Sequence, residues 1–119
     1  MNLFFKPMPD FRKTLFVCTG NVFRSVISEK LFTQNILKKG LPFHARSRGT
    51  NPYFKASHPL LNHIVERDYS ITLNGHRAQK LSREDILWSS AIICFTVQHQ
   101  QVVVEMCPSA KDKTGLRPF

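Results

Sequence analysis

The chain has 119 residues, 42% of them hydrophobic, and carries 17 Lys and Arg against 8 Asp and Glu for a net charge of +9. That length builds one core, burying about two-thirds of the extended surface. No apolar run reaches the about 18 residues needed to cross a bilayer, and the basic residues form no aromatic-interleaved patch, so a membrane span is excluded and nucleic acid is disfavoured as a partner.

The opening residues, Met1 to Pro7, lack the apolar stretch and small-residue cleavage site of a secretory signal, so the expected location is cytoplasmic. Residues 14–17 are β-prone without alternation, as in a central strand covered on both faces. Residues 22–37 read as a helix with Phe23, Ile27, Leu31 and then Gln34 or Asn35 on the face toward the sheet. Lys38, Lys39 and Gly40 end it, with cations at the negative end of the dipole and a glycine free to take positive φ.

A second strand is expected over residues 42–47, followed by a turn-rich loop at 48–52. Ser57 is placed to cap a helix containing Leu60, Leu61, Ile64 and Val65, with Pro59 in its first turn. Residues 68–80 are irregular. Ser82-Arg83-Glu84-Asp85 has the cap-plus-acid pattern of a helix start, and that helix runs to about Trp88. Residues 91–95 read as a buried strand, 98–106 as a helix, and 113–119 as a fourth strand. Strands alternating with helices imply crossovers and a parallel sheet. The expected architecture is a three-layer α/β fold, flavodoxin-like or Rossmann-like, with a central four-stranded parallel sheet. It occupies residues 1–119 as one domain, with 1–12 as an N-terminal extension.

The most informative segment is Cys18-Thr19-Gly20-Asn21-Val22-Phe23-Arg24-Ser25, which joins the first strand to the first helix. A cysteine and an arginine separated by five residues there make a cradle for a tetrahedral oxyanion, because α/β folds bind ligands at the C-terminal ends of their strands. Cys18 supplies a nucleophile, with the helix dipole, backbone N–H groups and Arg24 favouring its thiolate. Gly20 is expected to take a turn closed to other residues and to bring N–H groups close to the anion. Asn21 tolerates the left-handed region and holds the loop shape. Arg24 offers a planar fork to two oxygens. Ser25, one turn on, can hydrogen-bond the sulfur and stabilise it as a leaving group. Cys18, Cys94 and Cys107 have spacings that fit neither a metal site nor a disulfide framework, and no metal or cofactor is called for.

With Leu15-Phe16-Val17 before it and Glu29 after it, this segment resembles the low-molecular-weight protein tyrosine phosphatase family. Ser47-Arg48-Gly49-Thr50, then Gly75-His76-Arg77-Ala78-Gln79-Lys80-Leu81 followed by Ser82 to Asp85, then Ile92 to Phe95 with Thr96 and His99, agree in order and spacing. The approach to strand four, Pro108 to Thr114, agrees as well, so the resemblance covers about residues 13–119. It implies that Cys18 is the nucleophile, Arg24 binds phosphate, and Asn21 and Ser25 tune a phosphate-binding loop running through Thr19, Gly20, Asn21, Val22, Phe23 and Arg24. His76 would be a hydrogen-bonded scaffold residue rather than a base.

The implied reaction is hydrolysis of a phosphoric monoester, a protein phosphotyrosine or a small aryl phosphate, through a cysteinyl-phosphate, with free phosphate as inhibitor. The resemblance also implies an Asp-Pro loop and a closing helix after strand four, which the sequence does not contain. Asp112 is expected at the opposite edge of the sheet and is rejected as the acid. The alternatives are a catalytically impaired phosphate or phosphoprotein binder and, behind it, an arsenate reductase. A sheet face left bare by a missing helix would favour a homodimer. Phe23 stands where many family members carry a second cysteine able to protect the first. Val22 stands where the tyrosine phosphatases favour an aliphatic residue and the arginine phosphatases threonine, whereas Thr19 is found in the arginine-type branch.

Overall fold

The computed structural model describes residues 9–53, 56, 59–73 and 75–116. Four strands, β1 (Lys13–Cys18), β2 (His44–Gly49), β3 (Ala91–Cys94) and β4 (Thr114–Leu116), form one sheet in the order β2-β1-β3-β4. All three pairings are parallel. The helices are α1 (Arg24–Lys39), α2 (Pro59–Tyr69), α3 (Arg83–Trp88) and α4 (Val97–Met106), with a 3-10 segment at Pro108–Lys113. This is the expected flavodoxin-like order. No helix follows β4 among the described residues, and none of the described helices is long and apolar enough to cross a membrane.

The continuous apolar character of β1 follows from its central place. Leu15 and Val17 are fully buried in a cluster with Ile86 of α3, Ile92 and Cys94 of β3, and Val103 of α4. Phe16 points the other way, as strand alternation requires, and meets Phe32 of α1 edge-to-face at 5.7 Å. A second cluster joins Val26 of α1 to Val65 of α2 and to Ile71 and Leu73, which lie in the irregular segment after α2.

Most helix boundaries follow from local chemistry. Gly40 takes φ 64° and donates back to the last turn of α1. Ser82 and Asp85 form a reciprocal capping box at the start of α3. Three expectations change. Helix α1 begins at Arg24 rather than Val22, because Asn21 is left-handed (φ 53°) and Phe23 sits outside the helix as its N-cap. Phe23 is therefore 38% exposed and off the buried stripe, which runs instead through Val26 with Ile27 and Leu31 packed beside it. Strand β2 lies two residues later than expected, since its pairing with β1 continues to Cys18 opposite Gly49. The proposed cap Ser57 lies outside the described residues.

Gln100 is an anomaly in the core. It faces inward from α4, fully buried, and both side-chain amide atoms lack a protein partner among the described residues. A buried, unpaired amide costs about 1–3 kcal/mol. Gln100→Met, nearly equal in shape, is expected to raise the unfolding free energy by about 1–2 kcal/mol in urea titrations; a lower stability would contradict this assignment.

Candidate active site

β1 delivers Cys18 to the C-terminal end of the sheet's interior and stops there, where α1 has not yet begun. The five residues between, Thr19 to Phe23, form a loop folded back over the sulfur. Cys18 is 2% exposed. Its Sγ lies 3.0 Å from Ser25 Oγ and accepts from the Asn21 N–H at 3.3 Å. Asn21 Nδ2 donates to the same Ser25 Oγ at 3.0 Å. An amide NH₂ can only donate, so Ser25 accepts from Asn21 and keeps its own hydrogen for the sulfur.

Asn21 is the hub of this loop and is completely buried. Its Oδ1 accepts from the Gln79 N–H at 2.8 Å, and its carbonyl lies 2.7 Å from His76 Nε2. A carbonyl only accepts, so His76 donates there, in the scaffold role expected for it. The irregular segment after α2 therefore carries two residues, His76 and Gln79, that fasten Asn21. Gln79 O also accepts from the Gly49 N–H, and Gly49 O from the Leu81 N–H, which ties that segment to the end of β2.

The glycine that the loop depends on is Gly49, not Gly20. Gly20 has an ordinary negative-side backbone, and a Cβ there would meet only Val22 Cγ2 at 3.6 Å. The expectation that Gly20 takes the special conformation is therefore corrected: Asn21 takes it, and its side chain is anchored as part of doing so. A Cβ at Gly49 would lie 2.6 Å from Thr19 O and 3.0 Å from Asn21 Cβ, so β2 can approach the loop this closely only through glycine. The same closeness serves the hydrogen bonds from Thr50 N to Cys18 O at 2.9 Å and from Asn51 N to Thr19 O at 3.0 Å.

Arg24 opens α1 with its side chain exposed, its guanidinium carbon 5.9 Å from the centre of the Phe95 ring. Thr19 and Phe23 are exposed, and Val22 is half-buried. From the other side of the sheet, α4 brings His99, whose Nε2 lies 2.9 Å from Thr19 Oγ1. Burial, and secondarily the positive charge of Arg24, hold His99 below the usual histidine range. A histidine depressed in the fold contributes stability above its unfolded value of about 6.5 and loses it as pH falls toward the folded value. The stability difference between the native chain and His99→Gln is expected to favour the native chain more at pH 7.5 than at pH 5, as read by paired denaturant titrations.

The described carboxylates near the sheet are committed elsewhere. Glu29 accepts from Ser47 Oγ at 2.8 Å. Asp85 is buried and holds Arg46 at 3.2 Å and Arg48 at 3.0 Å. Asp112 lies in the 3-10 segment before β4, at the edge of the sheet away from Cys18. Helix α4 was expected over residues 98–106 and runs from Val97 to Met106, but the Thr19–His99 contact was visible in the sequence only as a landmark histidine, because a pair separated by 80 residues leaves no local pattern.

The family model for low molecular weight phosphotyrosine protein phosphatase matches residues 13–116. A protein-arginine-phosphatase of Geobacillus stearothermophilus is 32% identical over 103 residues, covering 86% of this chain and 66% of that protein. The low molecular weight protein-tyrosine-phosphatase Etp of Escherichia coli is 31% identical over 107 residues, covering 89% of this chain and 69% of that protein. The crystal structure of a low molecular weight protein tyrosine phosphatase from T. tengcongensis superposes with a TM-score of 0.78 at 27% identity, over 86% of this chain and 70% of that one. The chain thus spans about two thirds of the length of such relatives. With its fold, its cysteine loop and its match over nearly the whole length in agreement, the chain belongs to the low molecular weight phosphotyrosine protein phosphatase family.

Proposed function

We propose that the chain is a phosphoric monoester hydrolase that works through Cys18 and takes protein phosphotyrosine. The observation that carries this reading is the sulfur itself: it ends the central strand with the Asn21 N–H at 3.3 Å and Ser25 Oγ at 3.0 Å, and Arg24 lies on the first turn of the helix beyond. In the first step Sγ attacks phosphorus, forming an S–P bond as the P–O bond to the substrate breaks and the leaving oxygen departs. Arg24 and the loop N–H groups hold the three remaining oxygens as charge develops on them. In the second step water attacks phosphorus, the S–P bond breaks, and the electron pair returns to sulfur while Ser25 donates to it. Orthophosphate is then released.

Val22 in the loop supports an aryl ester as substrate, and the arginine-phosphatase relatives make phosphoarginine the comparison to run. Three free, buried cysteines suit a reducing, cytoplasmic setting. No described carboxylate is placed to protonate the leaving oxygen. That observation favours a second reading, a phosphate-binding protein with slow turnover.

Phosphate release from an activated aryl phosphate, a phosphotyrosine peptide and a phosphoarginine peptide tests the assignment. General-acid catalysis is worth about 100- to 10,000-fold, so the activated aryl phosphate is expected to exceed phosphotyrosine by about that range in kcat/KM. Phosphoarginine should be the poorest of the three. Equal rates for the two aryl esters would show that a proton donor is in place, and release from none of them would support the binder.

A further inference from the structure

We propose that His99 is a positioning residue which turns the Thr19 hydroxyl into a donor for the bound oxyanion; the inference rests on the phosphatase reading of the Cys18 cradle. His99 is 3% exposed and sits in the first turn of α4, where its own N–H donates to the helix cap Thr96 Oγ1 at 3.2 Å. Its Nε2 lies 2.9 Å from Thr19 Oγ1. Its other ring nitrogen, Nδ1, is buried and has no protein partner among the described residues.

That asymmetry selects a tautomer. A proton on Nδ1 would be a buried N–H with nothing to accept it, the rarest kind of orphan in folded proteins. A proton on Nε2 leaves only a lone pair unpaired and makes Nε2 the donor to Thr19. The doubly protonated ring is disfavoured by burial and by the Arg24 charge. Thr19 Oγ1 therefore accepts, and its single hydrogen is left for another acceptor. Thr19 follows Cys18 directly and is exposed, and its carbonyl is pinned by the Asn51 N–H at 3.0 Å. The acceptor it can serve is an oxygen of the phosphoryl group in the cradle. Were His99 merely fastening the loop to α4, the direction of that hydrogen would not matter, and a shape-preserving loss of the hydroxyl would leave oxyanion binding intact.

Orthophosphate binding by titration calorimetry, with aryl phosphate kinetics alongside, separates the two roles. Thr19→Val is expected to weaken phosphate binding about tenfold, as for loss of one hydrogen bond to a charged group, while Thr19→Ser stays near the native chain. His99→Leu should weaken it by a similar factor. His99→Gln, which can present an N–H from a similar place, should restore most of it. The double variant Thr19→Val/His99→Leu should be no weaker than either single one, because the two act as a unit. Native-like binding by Thr19→Val would overturn the proposal even if His99→Leu failed to fold, and so would losses that add in the double variant. Failure of the native chain to bind orthophosphate would overturn the phosphatase reading itself and the proposal with it.

Discussion

Cys18→Ala is expected to lower aryl phosphate turnover by roughly a thousandfold or more, the scale seen when a covalent nucleophile is removed, while leaving orthophosphate binding measurable. Arg24→Ala is expected to lower turnover by roughly 100- to 1,000-fold and to weaken orthophosphate binding as well. The two losses differ because the two side chains meet the ligand differently. In the proposed mechanism the sulfur makes and breaks a bond to phosphorus, and the cradle around it is built by Asn21, Ser25, His76 and Gln79, none of which Cys18→Ala removes. In the same mechanism the Arg24 guanidinium would offer two parallel N–H donors to the oxygens in both the ground state and the transition state. Arg24→Lys keeps the charge without the planar fork, so it should recover binding better than turnover. A Cys18→Ala chain with native turnover would place the chemistry elsewhere.

Gly49→Ala is expected to damage both the stability and the activity of the molecule. The added Cβ would sit 2.6 Å from Thr19 O, 3.0 Å from Asn21 Cβ and 3.1 Å from Asn21 N. Two of those atoms are backbone, and Asn21 is buried and anchored at both ends of its side chain, so no flexible group can yield. The loop must lift from β2, straining the hydrogen bonds from Thr50 N and Asn51 N. Overpacking of this kind costs about 1–3 kcal/mol of stability. Displacing a reacting group by about 1 Å can cost roughly 100-fold in rate, so turnover should fall further than stability alone implies. Gly20→Ala is the control for stability: its Cβ meets only a side-chain methyl at 3.6 Å, and its unfolding free energy should stay within about 0.5 kcal/mol of native. Equal destabilisation at positions 20 and 49 would contradict the packing argument.

What could be read in the sequence was what local chemistry decides. The unalternating apolar runs in β1 and β3 marked buried parallel strands, Ser82 with Asp85 marked a helix start, and Lys38-Lys39-Gly40 marked a helix end. The cysteine loop was visible because all its members are contiguous. What escaped was decided by tertiary approach. Gly20 looked like the special glycine because it lies within the loop, yet the steric need falls on Gly49, across the strand pairing at Cys18. Phe23 fitted the helical stripe by spacing, but left-handed Asn21 delays the helix and turns Phe23 outward. The segment after α2 has no periodicity, since its residues are chosen by what they reach: Ile71 and Leu73 a core cluster, His76 and Gln79 the loop. Gln100, a polar residue on a buried helix face, broke the pattern without announcing it.

Cys18 is expected to carry the phosphoryl group during turnover, and the intermediate can be trapped. The native chain, mixed with an activated aryl phosphate and quenched in acid within the first turnovers, should yield a peptide containing Cys18 heavier by one phosphoryl group. That label should disappear on longer incubation once substrate is exhausted, and it should be absent from Cys18→Ala. Phosphate release with no label on Cys18, or with the label on another residue, would contradict the account.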